Sequence, residues 1–190
     1  MNIVVHRGTH QIGGSAIEIS TASTHIMLDF GNELSLDEKY IPINLDIDGV
    51  TKGMLDCDGI VISHYHMDHL GQLTSALPEI PLYMGKLSKE VAMIATEHQD
   101  KDLYLRLLGA NTFRGGEAFT IGNIHIRPLV IDHSAVDSYM FVIEAEGKRV
   151  LYTGDFRMHG LRSHIVEKLV KTYIGEVDVL ITEGTSLSRD

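Results

Sequence analysis

The segment that most constrains this chain is Ser63-His64-Tyr65-His66-Met67-Asp68-His69-Leu70-Gly71, which follows directly on the apolar run GIVIS at 59–63. A short apolar run of that kind reads as a buried strand. Sheet proteins carry functional groups on the loops that leave such strands. Here four potential metal ligands fall within six residues. In an extended segment His64, His66 and Asp68 share one face, because side chains alternate. A turn after Asp68 aims His69 at a neighbouring point. The spacing therefore suits two adjacent cations, His64 and His66 on the first, Asp68 and His69 on the second. Imidazole nitrogen and carboxylate oxygen suit zinc, manganese or iron. The pattern differs from the helical H-E-x-x-H arrangement, whose histidines stand four apart. Cys57 is the only cysteine, so neither a thiolate cage nor an intrachain disulfide is available.

A catalytic cation usually holds three protein ligands and one open position, so more donors are needed. His133, in Asp132-His133-Ser134 after the apolar stretch IRPLVI, completes the first set. Asp155, in Gly154-Asp155-Phe156 after VLYT, is the natural bridge, because a carboxylate has two oxygens. Asp29, in MLDFG, is a candidate to hold the outer nitrogen of a ligand histidine. Its alternative is an aspartate bonding its own turn before Gly31. His6, His10, His25, His98, His125 and His164 are scattered singly and read as structural or exposed. Gly13-Gly14 lets backbone approach a phosphate, or simply makes a tight turn.

Around these motifs the chain reads as strands at 3–5, 16–20, 25–30, 59–63 and 81–84. A helical stretch follows at 86–108, with Val91, Ile94, Ala95, Leu103, Leu107 and Leu108 at three-to-four spacing. Strands return at 117–121, 124–131, 138–144 and 149–152, with Glu146-Gly147 as a hairpin turn. A helix at 163–173, with Ser163 as N-cap, precedes a final buried strand at 177–182. Two sets of strands, each followed by helix, favour a layered α/β sandwich over a doubly wound parallel sheet. The 190 residues fit one domain. No apolar stretch approaches the ~18 residues of a membrane span, and the N-terminus turns polar too early for a signal peptide. The expectation is a cytoplasmic protein with no membrane partner. The formal net charge of −10 has the wrong sign for a nucleic-acid clamp. Bound divalent cations or a basic surface on a further domain would reverse that locally.

The order LDFG, SHYHMDHLG, DHS, YTGDF resembles the metallo-β-lactamase superfamily with its H-x-H-x-D-H signature, across nearly the whole chain from Gly8 to Arg189. HSAVDSYMFVIEAEGKRVLYTGDFRMHG and LITEGTSLSR resemble its β-CASP branch, which includes ribonuclease J and the pre-mRNA 3′-end endonuclease. The resemblance implies an αββα sandwich, two divalent metal ions, zinc first, and a nucleic-acid substrate, RNA first. It places Glu183 at the branch's first acidic motif, and Ser134 with Asp137-Ser138 where the substrate phosphate approaches. It also implies a fragment: residues 1–190 as the N-terminal part of the metallo-β-lactamase-like domain. In that reading the sandwich is incomplete at the C-terminus, with the β-CASP domain and the returning segment missing. The implied chemistry is hydrolysis by a water activated between two cations, oriented by Asp68 or Asp155. The resemblance implies that a histidine beyond this chain protonates the leaving oxygen. Three alternatives stay open: a β-lactam, thioester or lactone as substrate, a non-catalytic metal-binding module, and a homodimer formed through an apolar face that truncation exposes. The H-x-E-x-D pattern of flavo-diiron proteins is disfavoured by His66.

Overall fold

Residues 124–128 alternate buried Ile124, Ile126 and Pro128 with exposed His125 and Arg127, the period-two pattern of a strand with one covered face. In the computed structural model, which describes residues 1–35 and 43–185, such strands form two sheets. The first runs β1 (Asn2–Arg7), β2 (Ala16–Ser20), β3 (His25–Leu28), β4 (Gly59–Val61), β5 (Leu82–Gly85), β6 (Asn111–Phe113). It is antiparallel from β1 to β3 and parallel from β3 onward. The second runs β11 (Val179–Ile181), β10 (Lys148–Tyr152), β9 (Tyr139–Ala145), β8 (Ile124–Val130), β7 (Phe119–Ile121), with only β10 and β11 parallel. Ser186 to Asp190, the tail of the LITEGTSLSR resemblance, lie outside the described residues.

Three apolar layers result. Ile17, Ile19, Ile26 and Leu28 meet Ile126, Phe141 and Ile143 between the sheets. On the far side of the first sheet, Met27, Ile60 and Ile62 pack on α1 (Met67–Leu70), α2 (Lys86–Thr96) and α3 (Lys101–Leu108). On the far side of the second, Leu129, Met140 and Leu151 pack on α4 (Ser163–Leu169) and the π-helical turn that extends it to Ile174. Helix, sheet, sheet, helix is the αββα sandwich. No described helix is long and apolar enough to cross a membrane.

Several local expectations are corrected. The helical stretch breaks after Thr96, and Asp100 caps α3 by accepting Leu103 N at 3.0 Å. The buried side of α2 is Ser88, Ala92 and Thr96, while Ile94 is 76% exposed. The N-cap of α4 is Arg162, with no side-chain bond, and not Ser163. The strand at 177–182 is an outer one among the described residues, with Val179 and Leu180 exposed. β6, short and polar, was not foreseen. Glu146-Gly147 does form the two-residue turn, both in left-handed conformation.

One contact across the layers matters for the site. Helix α2 follows β5 without a cap of its own. Asp137 Oδ2 supplies it, accepting Leu87 N at 2.9 Å and Ser88 N at 3.0 Å, while Oδ1 accepts the Tyr139 hydroxyl at 2.5 Å. Gly85 is required there, because a Cβ would overlap Asp137 Oδ2 and lie 2.5 Å from Tyr139 Cε2. The loop carrying His133 is thereby pinned to the first layer.

Candidate metal centre

The ladder of β4 continues one residue, with Ile62 N donating to Tyr83 O at 2.8 Å. The chain then turns. The His66 carbonyl accepts both His69 N and Leu70 N, starting α1. Asp68 therefore does not extend the face of His64 and His66. It sits with His69 on one helical turn, which corrects the extended reading. That turn is strapped to the MLDFG segment by Phe30 N to His69 O at 2.7 Å and Asn32 N to Met67 O at 2.9 Å.

Two donor groups form. In the first, His66 Nδ1 lies 3.1 Å from His64 Nε2 and 3.2 Å from His133 Nε2. A tetrahedral zinc with Zn–N of about 2.0–2.1 Å holds its ligand nitrogens about 3.3 Å apart. These three imidazoles fit that spacing. The second group is His64, His69 and Asp155. Asp155 Oδ1 is 3.3 Å and Asp68 Oδ2 3.6 Å from His69 Nε2. His64, wholly buried, belongs to both groups; the sequence reading gave it to one. The donor set fits divalent metal.

Behind this cluster stands Asp29, itself fully buried and left-handed at φ 55°. Its Oδ2 lies 2.7 Å from His69 Nδ1 and accepts Ser63 Oγ at 2.7 Å and the Tyr152 hydroxyl at 2.5 Å. Its Oδ1 accepts Ser63 N at 2.7 Å. The aspartate thus reaches across the fold and does not serve its own turn. Its bond to Nδ1 leaves His69 Nε2 facing Asp155 and Asp68. Ser63 and Tyr152 were not foreseen. A hydroxyl residue at each strand end, just before the SHYH and TGD motifs, was the only sequence signal for them.

The electrostatics divide the imidazoles. Burial and the other imidazoles hold His64 well below its ordinary value, and burial also lowers His66. Burial first, with the neighbouring imidazoles and Arg157 and against the opposing Asp155 carboxylate, brings His133 down to about 4. Burial opposes charge on His69 too, but the carboxylates of Asp29 and Asp155 outweigh it and raise His69 to about 10. At neutral pH three imidazoles keep free lone pairs and one is held as a cation. The signs give a pH optimum for the metal-free fold. Groups with lowered values leave stability intact above about 6.5 and lose it as pH falls towards about 4. His69 contributes fully below about 6.5, and that contribution is lost as pH rises towards about 10. Thermal unfolding in chelator should therefore show its highest midpoint near 6.5, with the acid limb shallower in His133→Gln. A midpoint still rising steadily through that value contradicts this assignment.

The remaining expected residues separate. Ser134 is exposed, its Oγ 3.5 Å from His133 Nε2. Glu183 Oε1 accepts Phe156 N at 2.9 Å, bracing the loop next to Asp155. Asp137 is occupied as the α2 cap, and buried Ser138 donates to Ala135 O. Both are thereby tied into the protein. Gly13 is needed because a Cβ would lie 2.8 Å from Asp68 Cβ. His6 and His25 are not solitary: both face Glu18, at 2.8 and 3.4 Å. A cleft of about 740 Å³ opens over Asp68, His69 and Asp155, rimmed by the β1–β2 loop and Glu183.

A family model described as a beta-lactamase superfamily domain matches residues 47–190. The chain belongs to that superfamily. Among curated members, endoribonuclease ysh-1 of Neurospora crassa is 28% identical over 94% of this chain and 23% of its own length. The RNase J-like protein of Methanocaldococcus jannaschii is 27% identical over 95% of this chain and 41% of its own. Ribonuclease J of Helicobacter pylori is 25% identical over 80% and 22%. The chain therefore spans less than half the length of these superfamily relatives. A solved protein of unknown function from Enterococcus faecalis shares the fold at TM-score 0.85 and 22% identity, over 99% of this chain and 51% of that one. Zn(2+)-bound PqqB of Methylobacterium extorquens follows at 0.57 and 13%, over 90% and 60%.

Proposed function

We propose that this chain carries the hydrolytic centre of a metal-dependent ribonuclease, with two divalent cations, zinc first, as cofactors. In this reading residues 1–190 are the N-terminal part of a catalytic domain that a longer protein completes. The observation that carries it is the pair of donor groups that share His64, the second of them opening through His69 and Asp155 to a cleft, in a chain whose named relatives are ribonucleases.

The cleft is lined by Asp68, Asp155 and Glu183, in a chain of net charge −10. Left alone it repels phosphate. Divalent cations held there reverse that field, supply Lewis acidity towards a phosphoryl oxygen and acidify water. His64, His66 and His133 would hold the first cation, and Asp68, His69 and Asp155 the second, with Asp155 the carboxylate that would be shared. Asp29 holds His69 through Nδ1, so Nε2 is aimed into the site before any ligand arrives. Asp68 and Asp155 orient the attacking water and accept its proton at a carboxylate oxygen. The water oxygen bonds to phosphorus, the P–O ester bond breaks, and the departing oxygen gains a proton to become a hydroxyl. That last proton comes from solvent water.

The test is cleavage of an end-labelled single-stranded RNA with zinc or manganese added. Cleavage should vanish with chelator. His64→Ala or Asp68→Ala should lower it on the order of 10³-fold or more, several kcal/mol of transition-state stabilisation. Turnover of a chromogenic β-lactam with RNA left intact would overturn the ribonuclease reading and keep the hydrolase.

A further inference from the structure

The loop that leaves Asp155 folds back over Asp132. Arg157 N donates to the Asp132 carbonyl at 2.8 Å. The buried Asp132 carboxylate accepts Gly160 N at 2.7 Å and Arg162 N at 3.4 Å. Backbone donors therefore already serve this carboxylate. Arg157 Nε stands 3.7 Å from Asp132 Oδ1, beyond hydrogen-bond reach, and is buried with no hydrogen-bond partner among the described residues. Charge, not hydrogen bonding, holds the guanidinium there, while its side chain keeps 36% of its surface exposed. Gly160 closes the inner side: a Cβ there would overlap both Asp132 oxygens and lie 2.6 Å from Arg157 Nε.

The position is next to the chemistry. Arg157 is two residues beyond Asp155, so their Cα atoms are at most about 7 Å apart. Asp132, its anchor, directly precedes His133. A guanidinium offers a planar fork of N–H donors matched to two oxygens of one phosphate. Here the guanidinium is held two residues past Asp155, with no side-chain hydrogen bond among the described residues, on a strongly acidic protein. A guanidinium pairs with any anion, but a single small carboxylate offers it one partner. A polyanionic strand offers several.

We propose that Arg157 is a substrate-binding residue that grips a phosphate of the RNA strand next to the scissile one, on the His133 side of the cluster. This rests on the ribonuclease reading, and the two are separable by experiment. The probe is a fluorescent single-stranded RNA, its binding to metal-loaded protein followed by anisotropy before turnover accumulates, over a series of salt concentrations. Arg157→Ala should weaken binding on the order of tenfold and reduce the slope of log K against log salt by about one. Arg157→Lys should keep most of that slope while losing affinity, because charge survives and the fork does not. Arg127→Ala, an exposed cation on β8, is the control and should change neither by a comparable amount. A purely structural bond to Asp132 would alter the thermal midpoint but leave the salt slope alone. Wild-type affinity and slope in both Arg157 variants would overturn the assignment and leave the ribonuclease reading standing. No RNA binding by the metal-loaded wild type would sink both.

Discussion

Gly31→Ala should collapse the metal loop. The added Cβ would overlap the carbonyl carbon and oxygen of Asp68 and lie 2.5 Å from His69 N. These are backbone atoms, so no rotamer change relieves the clash. Overpacking typically costs ~1–3 kcal/mol where side chains can yield. With both sides backbone, about 3 kcal/mol or more is expected, a large share of the ~5–15 kcal/mol that a domain has. Relief must come from moving α1 away from MLDFG. That would break Phe30 N to His69 O and Asn32 N to Met67 O and carry His69 away from Asp29. The variant should lose several degrees of thermal midpoint and bind metal poorly even when folded. Gly109→Ala is the matched control. Its Cβ would meet nothing closer than Arg106 O at 3.8 Å, at an ordinary helical φ of −77°, so it should be neutral or slightly stabilising. Wild-type midpoint and metal content in Gly31→Ala would show that strand and loop are not in this close contact.

Why this glycine escaped notice in the sequence is instructive. MLDFG reads as a turn, and its glycine as a turn residue, yet the constraint comes from a segment nearly forty residues away. The same holds for Asp137. In HSAVDS it looks available to a substrate, while the fold spends it on the bare N-terminus of α2, at Leu87 and Ser88. Local periodicity located most strands, because alternation in residues 124–130 or the apolar run at 59–63 is a property of the segment itself. It misplaced the outward Ile94 and the outer strand β11, because which face is covered depends on neighbours the pattern does not encode.

The site was legible to the extent that its donors were contiguous or stood at strand ends. His64, His66, Asp68 and His69 announce themselves by spacing, and His133 and Asp155 by following apolar runs. What spacing could not show was sharing. The turn at His66 rotates Asp68 off the expected face, and His64 stands in both donor groups. The support behind the donors was equally hidden. Tyr152 and Ser63 are unremarkable residues in strand ends until the two sheets bring them to one Asp29 carboxylate. Arg157 had a faint signal, a cation just past the GD pair. Only the burial of its Nε beside Asp132 separates it from an ordinary surface arginine.

That sharing makes His64 the most consequential single substitution. Under the two-cation reading, protein purified without chelator should carry close to two metals per chain by elemental analysis. Asp155→Ala should remove the second, since it takes a carboxylate 3.3 Å from His69 Nε2. His66→Ala should remove the first, since its Nδ1 lies 3.1 Å and 3.2 Å from the other two imidazole nitrogens of that group. His64→Ala should empty the first and weaken the second, because its ring also stands beside His69 and Asp155. The loss of a direct ligand should exceed the ~10–100-fold drop in affinity typical of removing an outer partner such as Asp29. The wild type decides first. If it binds one metal, the His64, His69 and Asp155 group does not hold a cation in this chain. If His64→Ala still binds the second metal at wild-type affinity, Asp68, His69 and Asp155 make that centre without it. The order of losses across the three variants therefore tests the ligand assignment independently of any substrate.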